Sequence, residues 1–463
     1  MKRRIAIYSA KLAKIASKLS GKGGTALPGL VADRIDPDLL RKLTKDNFPK
    51  GIVVVTGTNG KTTVSSMLSG ILNTNNISHL RNSAGSNMKR GIISTLLEDI
   101  DKNGNSSKEM AIFEVDEAYV PIVCPIIKPK IILVTNLFRD QLDRYGELDK
   151  IADSFKQTFD GLDADIVLNA DDPLVSSLSQ DNKTTFFGIS DYIGEKIVHD
   201  HTADSVFDIK SGEKLQYIQR YYGHIGIYRS KNGQVVRPKP QVEVVKMNNL
   251  TKEFSDIDVK ITTEDKKMNL RLPIPGVYNI YNALASIAVA DSLSLPSKKT
   301  LQSLLNTSAA FGRAEDIRYR NLNFKLLLVK NPTGFNQVIQ TFLKPKPQNN
   351  TLLIVINDKI ADGRDVSWLW DVAIEDISSY SSNIVCSGTR AYDMALRLKY
   401  AGINSYKIEI DISKALDLIC NNKNTKNEVY VLPTYTAMLE LRTKLTNQSN
   451  LNNLSTLEKV KKS

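Results

Sequence analysis

Eight consecutive residues, Thr56, Gly57, Thr58, Asn59, Gly60, Lys61, Thr62 and Thr63, order their glycines, cation and hydroxyls in the way a polyphosphate requires. Glycine lets backbone N–H groups come close to phosphate oxygens, Lys61 reaches the β and γ phosphates, and the Thr62 hydroxyl can ligate Mg²⁺. The apolar run 52–55 before the loop reads as a buried parallel strand, and the pattern 64–72 after it as a helix. Strand, glycine turn and helix together make this an ATP-binding loop rather than a chance Gly-Lys-Thr. One position departs from the general form GxxxxGK(S/T): Val55 stands where the first glycine belongs.

The elements that would position this loop follow from the apolar pattern. Short apolar runs at 110–115, 131–135 and 166–169 alternate with helical stretches, which predicts a doubly wound α/β domain with a parallel sheet. Between about 191 and 272 polar and apolar residues alternate around turn signals such as Ser211-Gly212 and Asn232-Gly233, the texture of a β-rich, ribbon-like insertion. A helix over 279–290 returns to the α/β pattern. Strands predicted at 325–329, 351–356, 383–386 and 428–432 then form a smaller C-terminal α/β domain. The expected division is an N-terminal helical segment (1–50) packed on the ATPase domain, that domain with its insertion (51–315), the C-terminal domain (316–446) and a loose, asparagine-rich tail (447–463).

Length and composition agree with two or three packed domains: 463 residues, 41% hydrophobic and 24% charged. A net charge of +12 favours anionic partners, but the lysines are scattered rather than gathered into one run, so nucleic acid is not an expected partner. Cys124, Cys386 and Cys420 are too far apart to form a metal knuckle or a CxxC, which suits a reduced, cytoplasmic protein. No stretch reaches the roughly 20 apolar residues of a membrane span. In the opening residues, Ile5, Tyr8, Leu12, Ile15 and Leu19 fall on one helical stripe interrupted by lysines, so it is no signal peptide. That stripe is expected to pack on the next domain, with contact to a membrane surface as the alternative.

The form TGTNGKTT resembles the loop of the Mur ligase family, ATP-dependent enzymes that form amide bonds in peptidoglycan. Other segments resemble that family too. Glu114, in FEVDEAY, matches a carboxylate that helps bind Mg²⁺. Asn169 in NADDP, with Asn279 and Asn282 in YNIYNALAS, matches adenine-binding asparagines, and Arg313 in FGRAE matches an arginine that meets the γ-phosphate. Asn136, in TNLFRDQLDRYGE, joins the nucleotide-binding candidates. Within the family the chain resembles the MurT group along nearly its whole length, in GTALPG, TNLFRDQLDRYGE, KNPTGFN, NDKIADGRDVSW and SGTRAYDMALRLK.

The resemblance implies amidation: MgATP activates the α-carboxyl of D-glutamate in the stem peptide of lipid II, and ammonia converts it to D-isoglutamine at the inner face of the membrane. Ammonia is scarce near neutral pH, and no glutaminase site stands out here; Cys386, in IVCSGTR, reads as a structural thiol. The resemblance therefore implies a GatD-type glutamine amidotransferase subunit as partner. Asp365 in ADGRDVSW is implied to orient that partner's histidine, although Asp358 and Asp362 lie close by and all three also suit turns. Relatives carry a zinc ribbon in the insertion. Here Asp208, Ser211, Ser230 and Gly233 stand in the places of its cysteines, and neither His201 nor His224 restores a site alone, so hairpins without zinc are expected.

Two other readings remain. A stand-alone Mur-type or folylpolyglutamate-like amino acid ligase usually has a substrate-recognition domain before the loop, and residues 1–50 are too few for one. A nucleotide-dependent switch protein leaves Glu114, the asparagines and Arg313 without a joint purpose.

Overall fold

The computed structural model describes residues 2–19, 27–82, 86–139, 148–191, 205, 207–208, 211–307, 313–344, 351–380, 383–422, 425 and 428–446; for 16–19, 313 and 379–380 only the backbone is described. The expected loose tail and His201 lie outside these residues. Two compact units emerge, one containing the described residues up to Thr307 and the other those from Arg313 onward.

In the first unit the apolar runs become strands of a nine-stranded sheet. Its strands are β1 (Ile52–Thr56), β2 (His79–Arg81), β3 (Met110–Glu114), β4 (Ile131–Val134), β5 (Asp165–Asn169), β6 (Thr184–Ile189), β9 (Val242–Leu250), β10 (Ser255–Ile261) and β11 (Lys266–Leu272). Their order is β11-β10-β9-β6-β5-β4-β1-β3-β2, parallel from β2 to β9 and antiparallel at β9–β10–β11. β1 and β3 are buried at every position, as suits strands covered on both faces. The chain runs from β1 to β2 and β3 on one side and to β4 and β5 on the other. The carboxyl end of β1 is thus a topological switch point, where open α/β sheets bind ligands.

Three of the five strands described in the expected β-rich insertion, β9 to β11, belong to this main sheet. β10 alternates buried and half-buried residues along its length, the pattern of an antiparallel strand with one solvated face, and β9 carries it onto β6 through Phe187↔Val242. Only β7 (Leu215–Tyr222) and β8 (Ile225–Ser230) form a separate two-stranded hairpin.

Three N-terminal helices, α1 (Lys2–Leu19), α2 (Leu27–Ile35) and α3 (Leu39–Thr44), share a core with this sheet. Ala6, Ile7 and Ala10 of α1 are buried there, together with Leu39, Leu40 and Leu43 of α3. Four members of the stripe expected to pack are left outside, Ile5, Tyr8, Leu12 and Ile15 being 48%, 51%, 68% and 57% exposed, while the side chain of Leu19 lies outside the described residues. Small side chains decided the docking face, because Ala6 and Ala10 allow close approach of the helix and the bulkier stripe does not. The helix after the loop is α4 (Lys61–Thr74). On the helix Val277–Ser292, every residue from Asn279 to Ala290 is buried.

The second unit holds a six-stranded sheet, β12 (Arg313–Tyr319), β13 (Leu322–Leu327), β14 (Thr351–Val355), β15 (Ile384–Ser387), β16 (Tyr406–Ile408) and β17 (Glu428–Pro433), ordered β12-β13-β17-β14-β15-β16. Only β12 runs antiparallel. A boundary at 315/316 would cut β12, whose pairing with β13 keeps the whole strand in the second unit.

Buried polar contacts hold the hairpin to the first-unit sheet. Asp171, just past β5, takes a charged hydrogen bond from Arg237 Nε on Oδ1, and on Oδ2 it accepts from Tyr281 Oη at 2.6 Å and Ile189 N at 2.8 Å. Burial pushes its carboxyl up and Arg237 pulls it back. Replacing Arg237 by Met removes the compensating charge from a fully buried carboxylate, and is expected to cost about 3–5 kcal/mol in denaturant unfolding. Adding Asp171→Asn should restore part of that loss; a double variant that loses the sum of both single costs would contradict the coupling.

Candidate active site at the carboxyl end of the first-unit sheet

Two glycines shape the loop after β1. Gly57 has φ 116° and Gly60 φ 94°, conformations that side chains rarely adopt. Both are also approached closely: a Cβ on Gly57 would lie 2.3 Å from Thr135 Oγ1, and one on Gly60 2.3 Å from Asn282 Oδ1. The segment after β4 grips the loop from the other side. Thr58 N donates to Asn136 O at 2.9 Å and Asn59 N to Asn136 Oδ1 at 2.9 Å, while Asn136 Nδ2 and Thr135 Oγ1 donate to Asn59 O at 3.1 and 2.7 Å. Asn136 thus holds the loop's backbone, a positioning role that its residue type alone does not reveal.

The loop delivers Lys61 and Thr62 to the first turn of α4, the positive end of the helix dipole, which suits an anion. Thr62 Oγ1 donates to Glu114 Oε2 at 2.9 Å, joining helix to strand β3. Asn82, after β2, fixes Glu114 through its backbone, accepting from Glu114 N at 2.8 Å and donating to Glu114 O at 2.9 Å. Lys61 Nζ donates to the carbonyl of Gly57, to Thr58 O at 3.3 Å and to Glu117 Oε2 at 3.0 Å. The residues fit the implied ligands: a hydroxyl and a carboxylate side by side are the hard oxygens that Mg²⁺ takes, with a cation and helix N–H groups beside them for phosphate. Sequence reading passed over Glu117 and Asn82; FEVDEAY offered three carboxylates, and only the fold shows which one meets Lys61.

The asparagines divide. Asn282 Nδ2 donates to Asn279 Oδ1 at 3.1 Å and Asn279 Nδ2 to Pro275 O at 2.7 Å, a chain at the start of the helix Val277–Ser292 that sets Asn282 against Gly60. Asn169 is wholly buried; its amide donates to Thr135 O at 3.2 Å and its oxygen accepts from Asp171 N at 3.0 Å. It supports the strand end that grips the loop.

Arg313 and Asp365 lie in the second unit. Arg313 opens β12, and its side chain lies outside the described residues. Asp365 is separated from its neighbours by what they bind. Asp358 accepts from Thr389 Oγ1 at 2.7 Å and Arg390 Nε at 2.8 Å, and buried Asp362 accepts from Thr436 N at 2.7 Å and from the Thr436 hydroxyl. Asp365 is exposed and, among the described residues, meets its own turn, accepting from Ser367 N at 2.8 Å and Ser367 Oγ at 2.9 Å. The Ser367 N–H and then its hydroxyl hold this carboxyl below the usual range, so it is ionised near neutral pH. Cys386 sits inside β15, its thiol pushed up to about 12 by burial. That is a packing thiol rather than a nucleophile.

In the hairpin region, hydrogen bonds occupy the positions of the missing cysteines. Asp208 Oδ2 accepts from Ser211 N at 2.8 Å and Ser211 Oγ at 2.9 Å, and Asp208 O accepts from Gly212 N at 2.8 Å. Ser230 accepts from Val235 N on Oγ at 2.9 Å and from Gly233 N on its carbonyl at 3.1 Å. Asn232 Nδ2 donates to Glu213, joining the two turns. His224 packs against Phe138, with ring centroids 4.4 Å apart and planes tilted by 43°, and its Nε2 lies 3.4 Å from Asp172 Oδ2.

Two outcomes follow. Gly60→Ala should abolish ATP binding, measured by titration calorimetry, while its strain of about 1–3 kcal/mol leaves the protein folded. Dialysis against a zinc chelator should leave the melting temperature unchanged, whereas Asp208→Ala, which removes the acceptor of the Ser211 N–H and hydroxyl, lowers stability by about 1 kcal/mol. A melting temperature that falls on chelation would mean that a metal holds the turns.

Comparison with known proteins agrees with this geometry. Residues 55–228 match the Mur ligase middle domain and residues 328–438 the MurT ligase C-terminal domain. The chain is 32% identical over 445 residues to "Lipid II isoglutaminyl synthase (glutamine-hydrolyzing) subunit MurT" of Staphylococcus aureus strain COL, covering 95% of this chain and 96% of that one. It is 34% identical over 429 residues to the protein of the same name from Streptococcus pneumoniae strain ATCC BAA-255 / R6, with 91% and 92% covered. A solved pseudomurein peptide ligase type C from Methanothermus fervidus shares the fold, with a TM-score of 0.66 over 85% of this chain and 78% of that one at 21% identity. With the loop, the Thr62–Glu114 pair and both domains matched in order, the chain belongs to the MurT family of Mur ligases.

Proposed function

We propose that this chain is the ligase subunit of a lipid II isoglutaminyl synthase, an ATP-dependent carbon–nitrogen ligase of peptidoglycan biosynthesis. The observation that carries the reading is the meeting of Thr62 with Glu114 beside Lys61 at the start of α4, in a chain similar to a MurT subunit over 95% of its length.

The chemistry answers a simple obstacle. A carboxylate is a poor electrophile because its leaving group would be oxide. ATP supplies a phosphoryl group to the α-carboxylate of D-glutamate in the stem peptide, releasing ADP. Ammonia then attacks the carbonyl carbon of the acyl phosphate, phosphate leaves, and the proton lost from nitrogen passes to solvent. On this reading Lys61 and the α4 N–H groups bind the β and γ phosphates, and Thr62 and Glu114 would hold Mg²⁺, which when bound would neutralise charge on the phosphates. Asn279 and Asn282 face the nucleotide, with Asn136 and Asn169 setting the loop and strand end. Arg313 meets the γ-phosphate. The ammonia comes from a GatD-type glutaminase, whose histidine is oriented by the ionised, exposed Asp365. The work takes place at the cytoplasmic face of the membrane that carries lipid II.

The test is amidation of lipid II by the chain with MgATP, supplied with glutamine plus the co-expressed glutaminase, with ammonium alone, or with amino acids. Amidation with ammonium at alkaline pH and with glutamine only when the partner is present is the expected result. Incorporation of an amino acid with no amidation by ammonium would favour a stand-alone ligase instead. Asp365→Asn should cut glutamine-dependent turnover by at least about a hundredfold while ammonium-dependent turnover persists. Lys61→Met should remove both. Equal glutamine use by the Asp365→Asn protein would take that residue out of the mechanism.

A further inference from the structure

Helix α1 has two apolar faces on opposite sides, and only one of them is used. Ala6, Ile7 and Ala10 are buried in the first-unit core. At about 100° per residue, Ile5, Tyr8, Leu12 and Ile15 fall on the far side of the helix from that face. They are 48% to 68% exposed. Packing inside the unit therefore leaves this stripe uncovered, and no helix among the described residues is long and apolar enough to cross a membrane.

The charge around the stripe is one-sided. The 18 residues of α1 include six lysines and arginines and no acidic residue. Arg4 and Lys11 flank the stripe on one side and Lys2 on the other. The contacts these cations make inside the protein leave most of the charge uncancelled. Arg3 donates to Gly104 O at 2.6 Å, Arg4 to Asn103 Oδ1 at 3.1 Å and Lys11 to Ile100 O at 3.3 Å, all neutral acceptors. Among the described side chains of α1, Lys14 alone is seen to meet a carboxylate, Glu98 at 2.8 Å. An apolar stripe bordered by uncancelled cations on a helix already fixed along its opposite face is the form of an interfacial helix, which sinks its apolar side chains to the depth of the acyl boundary and sets its cations among lipid phosphates.

We propose that the exposed face of α1 docks the protein onto an anionic phospholipid surface, with Ile5, Tyr8, Leu12 and Ile15 entering the interface. The proposal deepens the reading of a lipid-linked substrate, yet its physical basis is the helix alone, so the two can fail separately. A docked α1 holds the first unit at the bilayer without a transmembrane anchor. Because the docking face is separate from the phosphate loop, its loss leaves the nucleotide chemistry intact.

The test uses the complete chain and vesicles free of lipid II. In a sedimentation assay the protein should bind vesicles of phosphatidylcholine with about 30% phosphatidylglycerol, bind pure phosphatidylcholine poorly, and release as salt rises. The double variant Leu12→Glu, Ile15→Glu changes exposed positions only, so its melting temperature and ATP affinity should match the parent while vesicle binding falls by at least about tenfold. Absence of binding to the anionic vesicles, or equal binding by the variant, would overturn the proposal. So would a parent that dimerises in light scattering and becomes monomeric in the variant without binding vesicles, since a second copy would then cover the stripe. Amidation that fails while vesicle binding stands would reject the ligase reading and leave α1 as a membrane-docking helix.

Discussion

Close approach at two glycines organises the first unit. Gly57 and Gly60 let the loop after β1 pass between the end of β4 and the start of the helix Val277–Ser292 at distances that no Cβ tolerates. Everything chemical in this unit depends on that narrow passage. It aims the first turn of α4 at the switch point of the sheet, sets Lys61 beside Glu117, and brings Thr62 within hydrogen-bond reach of Glu114. Binding energy at such a site comes from preorganised donors, whose orientation is fixed before the ligand arrives. Asn136, Thr135 and Asn82 supply that fixation through the backbone, which is why they matter although each spends its side chain on protein atoms.

A second constraint is the handling of buried carboxylates. Asp171 and Asp172 follow β5 directly and are wholly buried, a costly placement unless every oxygen has a donor. Arg237, Tyr281 and the Ile189 N–H supply the donors for the Asp171 carboxylate. Asp172 caps the short helix Pro173–Ser176 and accepts from Leu137 N at 2.9 Å. These contacts lock the hairpin region to the strand ends that grip the loop. In the hairpin turns, where family resemblance suggests thiolates and a metal, Asp208 and Ser230 satisfy the same turn N–H groups with oxygen. A carboxylate or hydroxyl can close such a turn, though it does so with much weaker bonds than a zinc ion makes to thiolates.

The second unit separates three neighbouring aspartates by their surroundings. Asp358 and Asp362 are consumed by Thr389, Arg390 and Thr436. Asp365 stays exposed and ionised on a turn closed by Ser367. A carboxylate meant to orient a histidine needs that combination, because its oxygens must be reachable and charged but do not themselves transfer a proton.

By itself the sequence determined the phosphate loop, the parallel strands that flank it, the helix that follows it and the family to which the chain belongs. Those features are local: glycine placement, unbroken apolar runs and short motifs survive without knowledge of what packs on what. Only tertiary structure decided that the segment from Val242 to Leu272 extends the main sheet, because strand partners are chosen by long-range register rather than by alternation within each strand. It also chose Glu117 as the partner of Lys61 from a segment with three carboxylates. Most plainly, it chose the docking face of α1. Periodicity singled out Ile5, Tyr8, Leu12 and Ile15, yet Ala6, Ile7 and Ala10 went inside, because close packing rewards a face that fits its neighbours over one that is merely the more apolar.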